Sequence, residues 1–101
     1  MITCDFAILP VGTDTTKCKD YVTAAVQSIK DSGLNYQLTG MGTQIEVDNL
    51  IELYEAIANA QEAVFELGTG RVYTIIKIDD RRDQENRTLD TKVKTVKKML
   101  K

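Results

Sequence analysis

A chain of 101 residues leaves room for one domain, and a domain of that size buries only about two thirds of its unfolded surface, so self-association is expected to add to its stability. Hydrophobic residues make up 43% and charged residues 28%, which excludes a disordered, collagen-like or disulfide-rich class. The formal net charge of −2 gives no basic footprint for neutralising phosphates, so nucleic acid is not expected as a partner.

Nor is a membrane expected, because no run reaches the roughly 18 apolar residues of a spanning helix. The opening Met1-Ile2-Thr3-Cys4-Asp5 lacks the basic stretch and apolar run of a secretory leader. With Cys4 on an apolar strand face and Cys18 opening a helix, reduced thiols and a cytoplasmic location are the expectation.

Ile2, Cys4, Phe6 and Ile8 alternate with Thr3, Asp5, Ala7 and Leu9, the period of a half-buried strand, which ends at Pro10-Val11-Gly12. Tyr21, Val22, Ala25, Val26 and Ile29 then recur at helical spacing; Thr15 or Thr16 can cap this helix and Gly33 can end it. From Leu34 to Met41 the chain alternates again, and with Thr43 to Val47 it forms a hairpin around Gly40 and Gly42.

Asp48 or Asn49 caps a second helix carrying Leu50, Leu53, Tyr54, Ile57 and Val64 on one face, with Gly68 as its stop. The run Val72, Tyr73, Ile75, Ile76, Ile78 is β-branched and apolar enough to suggest a central strand. A last helix bears a narrow stripe of Leu89, Val93, Val96 and Leu100 and a lysine-rich outer side. That stripe is expected to pack on this or a neighbouring subunit.

The order is that of an α+β, ferredoxin-like βαββαβ antiparallel sheet with an additional C-terminal helix, in one domain over residues 1–101. Right-handed crossovers put both connecting helices on one sheet face and set the first and last strands side by side, in this reading at the centre. The other face then carries Thr3, Asp5, Ala7 and Leu9, Gln37, Thr39, Gln44 and Glu46, and Tyr73, Ile75 and Lys77. Such a mixture suits packing on a second subunit with a small polar ligand site at its rim; a solvated face with incidental apolar contacts is the other reading.

Catalysis has little to work with. The chain has no histidine, and neither cysteine has a visible activating partner. Asp79, Asp80 and Asp83 interleave with Arg81 and Arg82, which reads as a salt-bridged turn before it reads as a magnesium site. Gly68-Thr69-Gly70 follows a helix and precedes a strand, the reverse of a phosphate loop. Arg71 beside it can hold a small anion. At Met41-Gly42-Thr43, glycine allows close approach of a ligand and the threonine offers a donor and an acceptor, although a tight hairpin alone explains the same residues.

Met41-Gly42-Thr43, the long run from Gly70 to Asp83, Pro10-Val11-Gly12, Tyr21-Val22 and Ser32-Gly33-Leu34 together resemble the small YkoF-like thiamine-binding family. The resemblance implies a ferredoxin-like subunit assembled through its sheets into dimers and commonly a homotetramer. It also implies binding of thiamine or its hydroxymethylpyrimidine moiety without a known reaction, and no cofactor. The family's motif falls on Met41, Gly42, Thr43 and Arg71. Asp5, Thr39, Thr43, Gln44 and Glu46 are then candidates for the pyrimidine edge, Met41 or Tyr73 for the ring face, and Arg71 or Lys77 for a phosphate. The alternatives are a structural or regulatory oligomer that binds another protein, or a small-anion-binding protein using Arg71.

Overall fold

The structure, a computed structural model, describes residues 1–13 and 18–101. Its elements are β1 (Ile2–Pro10), α1 (Lys19–Asp31), β2 (Asn35–Leu38), β3 (Thr43–Val47), α2 (Leu50–Phe65), β4 (Val72–Asp80) and α3 (Leu89–Met99). All strand pairings are antiparallel, in the order β2-β3-β1-β4. This is the α+β, ferredoxin-like arrangement with an added helix.

The even-numbered side chains of β1 and the odd-numbered ones of β3 point to the same face. There Ile2, Cys4, Phe6, Ile8, Ile45 and Val47 meet Ala25 and Ile29 of α1 and Leu53, Ile57, Ala60 and Val64 of α2. At about 25 cal/mol per Å² of apolar surface removed from water, this layer is the main source of stability.

Local signals set the helix limits. The Asn49 side chain accepts from the Ile51 and Glu52 amides at 2.9 and 3.1 Å, which fixes the start of α2. Gly33 and Gly68, with φ of 81° and 99°, turn the chain out of α1 and α2. Cys18 occupies the N-cap position of α1; the proposed caps Thr15 and Thr16 lie outside the described residues.

One expectation is corrected. The first and last strands are side by side, but β4 lies at the sheet edge, and the two central strands are β1 and β3. The crossover from β3 through α2 passes over β1 and lands beyond it, so the last strand cannot be central in this order. The apolar run of β4 reflects exposure, not depth: Tyr73 and Ile75 lie on the face that α1 and α2 leave open, and Ile76 is partly exposed.

Helix α3 attaches to that open face by its first turn. The Thr88 hydroxyl caps it by accepting from the Thr91 amide at 3.1 Å. A Glu46 carboxylate oxygen accepts from the Leu89 amide at 2.8 Å, and Lys92 donates to the Thr3 hydroxyl at 2.7 Å while pairing with Asp79. Beyond this turn Val93, Val96, Met99 and Leu100 are exposed. The stripe expected to pack is therefore not covered by the subunit itself.

Candidate functional site

On the open face, the register places Asp5 opposite Lys77 on β4 and Gln44 on β3, and Thr3 opposite Asp79 and Glu46. Lys77 and Asp5 approach to 3.8 Å as a solvent-exposed pair, which contributes little to stability. Thr3, Asp5, Gln44, Lys77, Asp79 and Lys92 line a shallow depression beside the first turn of α3. Toward the other end of the sheet the same face becomes apolar, with Leu9, Tyr73 and Ile75 exposed.

A second, more enclosed space lies where β1 outruns the hairpin. Strand β1 has nine residues and β3 five, and their pairing stops at Phe6 and Thr43. The residues of β1 past this point, together with α1 and the hairpin tip, bound a cavity of about 160 Å³. Phe6, Ile8, Val22, Ala25, Val26 and Leu38 supply its apolar wall, and Thr39, Gly40, Met41, Gly42 and Thr43 its rim. The Thr39 amide and hydroxyl both donate to the Gly42 carbonyl, at 2.9 and 2.8 Å, which pins the tip.

Gly42 is where the two regions touch. A Cβ built there would stand 2.9 Å from a carboxylate oxygen of Asp5 and 3.0 Å from the Phe6 carbonyl oxygen. Only glycine lets the tip lie this close to β1, and its backbone is the thin partition between the cavity and Asp5.

The sequence-based candidates therefore do not form one cleft. Thr39, Met41 and Thr43 belong to the cavity, with Thr43 only 3% exposed and Met41 93% exposed. Thr43 pairs with Phe6 and faces the helices, because odd positions of β3 share the core side. Asp5, Gln44, Glu46 and Tyr73 are on the open face, and Glu46 is engaged by the start of α3. Arg71 precedes β4 at the sheet edge, where its carbonyl accepts from the Val11 amide at 2.8 Å, and it does not line the cavity.

Sequence reasoning missed the wall contributed by Phe6, Ile8, Val22, Ala25, Val26 and Leu38. Their periodicity marks them as core, and only the unequal lengths of β1 and β3 reveal that the core is open at this corner.

Cys4, Asp79, Asp80 and Asp83 are each engaged by their surroundings. Burial, helped by the charge of Asp5, pushes the Cys4 thiol up to about 11, far from the thiolate a nucleophile needs. Asp80 pairs with Arg82 and Asp83 with Arg81, the latter through two 2.8 Å hydrogen bonds, and Asp79 pairs with Lys92. Among the described residues no group of acidic, histidine or cysteine side chains has the arrangement of a metal site, and no helix is long and apolar enough to cross a membrane.

The family model for thiamine-binding proteins matches residues 4–97, which take in both the cavity and the open face. The chain belongs to this thiamine-binding protein family. It is 46% identical over 100 residues to a UPF0045 protein of Methanothermobacter thermautotrophicus, covering 99% of this chain and 100% of that one. With the UPF0045 protein YqgV of Bacillus subtilis the identity is 42% over 105 residues, covering 99% and 98% of the two chains. The crystal structure of a hypothetical protein from Methanocaldococcus jannaschii superposes with a TM-score of 0.85 at 31% identity, over 95% of each chain. Membership in the thiamine-binding family confirms the resemblance drawn from the Met41-Gly42-Thr43 and Gly70–Asp83 segments.

Proposed function

We propose that this chain is a single-domain, non-catalytic, cytoplasmic subunit that binds thiamine or its hydroxymethylpyrimidine moiety in the cavity at the hairpin tip. The observation that carries the reading is the coincidence of two things. The chain belongs to a thiamine-binding family, and an apolar, partly enclosed space at the hairpin tip is rimmed by Thr39, Met41 and Thr43. A flat ring with polar atoms on its edge suits an apolar wall with a few polar groups. Thr43 meets the edge, and the exposed Met41 side chain folds over the ring. Asp5, across Gly42, faces the cationic thiazolium that thiamine carries and the free pyrimidine lacks.

Self-association belongs to the same proposal. The subunit pairs with a second copy through the open sheet face, where Leu9, Tyr73 and Ile75 are exposed, and through helix α3, where Val93 and Val96 are exposed, and such dimers associate into a homotetramer. Gln44 and Glu46 lie at this contact and not on the ligand. Light scattering after size exclusion tests the assembly; a monomer at micromolar concentration refutes it.

Titration calorimetry with thiamine and with hydroxymethylpyrimidine tests the ligand. Thr43→Val keeps the shape of the side chain and removes its hydroxyl, so it weakens both ligands by roughly three- to tenfold. Asp5→Asn weakens thiamine and leaves the free pyrimidine unchanged. Absence of heat with either ligand at millimolar concentration rejects the reading.

A further inference from the structure

In an extended strand the N–H and C=O of one residue point to the same side, and successive residues alternate between the two neighbours. In β1 the alternation is fixed at both ends. The Val11 amide donates to the Arg71 carbonyl at 2.8 Å, and the Met1 carbonyl accepts from the Arg81 amide at 3.2 Å, so odd-numbered residues turn their backbone groups toward β4. Even-numbered residues turn theirs toward β3, where Ile2, Cys4 and Phe6 stand opposite Val47, Ile45 and Thr43.

The next residues in that series are Ile8 and Pro10. Opposite Ile8 the hairpin has already turned, closed by the Thr39–Gly42 bonds. Pro10 has no N–H to satisfy, which suits a strand position without a neighbour. Ile8 is thus left with a donor and an acceptor side by side, directed into the notch that forms the cavity. Among the described residues, no backbone group continues the ladder to meet them. The residue is 6% exposed, so the backbone is held firmly in place.

We propose that the Ile8 backbone reads the amino edge of the ligand's pyrimidine: its N–H donates to the ring nitrogen beside the amino-bearing carbon, and its C=O accepts from the amino group. This deepens, and rests on, the thiamine-type reading above. The match is one of pattern, since an aminopyrimidine carries an acceptor next to a donor and an extended residue presents the complement. The ring then continues the sheet beyond Thr43, with Val22 and Val26 of α1 against its helix-side face. A backbone donor and acceptor in an apolar corner are costly to leave unpaired, so this edge selects strongly for the matching pattern.

The decisive ligand pair is 4-amino-5-hydroxymethyl-2-methylpyrimidine and its 4-oxo analogue. The analogue has nearly the same shape but puts a donor at the ring nitrogen and an acceptor at the exocyclic atom. Calorimetry is expected to give at least roughly tenfold weaker binding for the analogue. In ¹⁵N-labelled protein, the Ile8 amide is expected to shift downfield and gain exchange protection on saturation with the amino compound. Replacing the Ala7–Ile8 amide by an ester removes the Ile8 N–H and keeps the side chain; ligation at Cys18 gives access to this full-length variant, whose affinity is expected to fall about tenfold. If both pyrimidines bind within twofold, or the Ile8 amide stays unmoved in a saturated complex, the edge reading is overturned while the thiamine-type function stands. If neither pyrimidine nor thiamine binds, both are overturned.

Discussion

The two faces of the sheet are made from the same strands and serve different ends. On the helix-covered face Phe6, Ile29, Ile45, Leu53 and Val64 are completely enclosed, and every apolar side chain there contributes to folding. The opposite face places Asp5, Gln44 and Lys77 in one cross-strand row and Ala7 and Ile75 in the next, too polar for a core and too apolar for a surface left to water. A single-residue alternation along β1 separates these two chemistries. The difference teaches that, with the open face joining subunits as proposed, stability and assembly can be varied separately, while the cavity at the hairpin tip, which borrows residues from both faces, cannot be.

The largest contrast is between a core and an open-face truncation. Leu53→Ala removes a side chain with 0% exposure and is expected to lower unfolding free energy by about 2–5 kcal/mol. Ile75→Ala, at 48% exposure, is expected to change the stability of an isolated subunit by less than about 1 kcal/mol and to weaken self-association instead. Urea unfolding combined with light scattering separates the two, and equal losses of subunit stability would erase the distinction between the faces.

Gly42→Ala sharpens the comparison at the place where the faces meet. A methyl group there must push away the Phe6 carbonyl, which is backbone, as well as the Asp5 carboxylate. The expected cost is about 1–3 kcal/mol, together with loss of ligand affinity as the tip lifts from β1. Unchanged calorimetric affinity in a folded G42A protein would separate the tip from the binding site. Smaller again is Asn49→Ala, which removes the cap shared by the Ile51 and Glu52 amides. It is expected to cost about 1 kcal/mol by urea unfolding with no effect on binding or assembly.

Much of this was legible before any coordinates. The alternation of Ile2 to Leu9, the helical spacing of Leu50 to Val64 and the stops at Gly33 and Gly68 gave the element order and the two faces, because period and chain-breaking residues are local properties. The position of β4 was not legible: Val72 to Ile78 are apolar enough for a central strand, and only the crossover over β1 puts them at the edge. The cavity was half legible. Gly42 and Thr43 stood out by residue type, but that Thr43 faces the helices while Asp5, Gln44 and Glu46 lie on the open face, so that these candidates do not share one cleft, follows from the register with Phe6. That the Ile8 backbone has no strand neighbour on the hairpin side depends on which strand stops first, a relation between distant segments that no periodicity within either one carries.

The smallest expected effect concerns how α3 is tethered to the open face. Hydrogen bonding from Lys92 holds the Asp79 carboxyl below its ordinary range, and the Arg81 guanidinium lowers that of Asp83 to about 2. Carboxyls depressed in the folded state contribute stability that is complete above their ordinary value near 3.8 and is lost as the pH falls through the folded value. Both groups are solvent-exposed, so the contribution is slight and screened by salt. Carboxyl ¹³C titration should place the Asp83 midpoint near 2. In Asp83→Asn the acid limb of the stability curve should become shallower between about pH 4 and 2, with the α2 core unaffected. Superimposable acid limbs in the variant and the parent would mean that the Arg81–Asp83 pair orders the loop before α3 without stabilising it, leaving Glu46 and the bonds of Lys92 to Thr3 and Asp79 to hold the helix to the sheet.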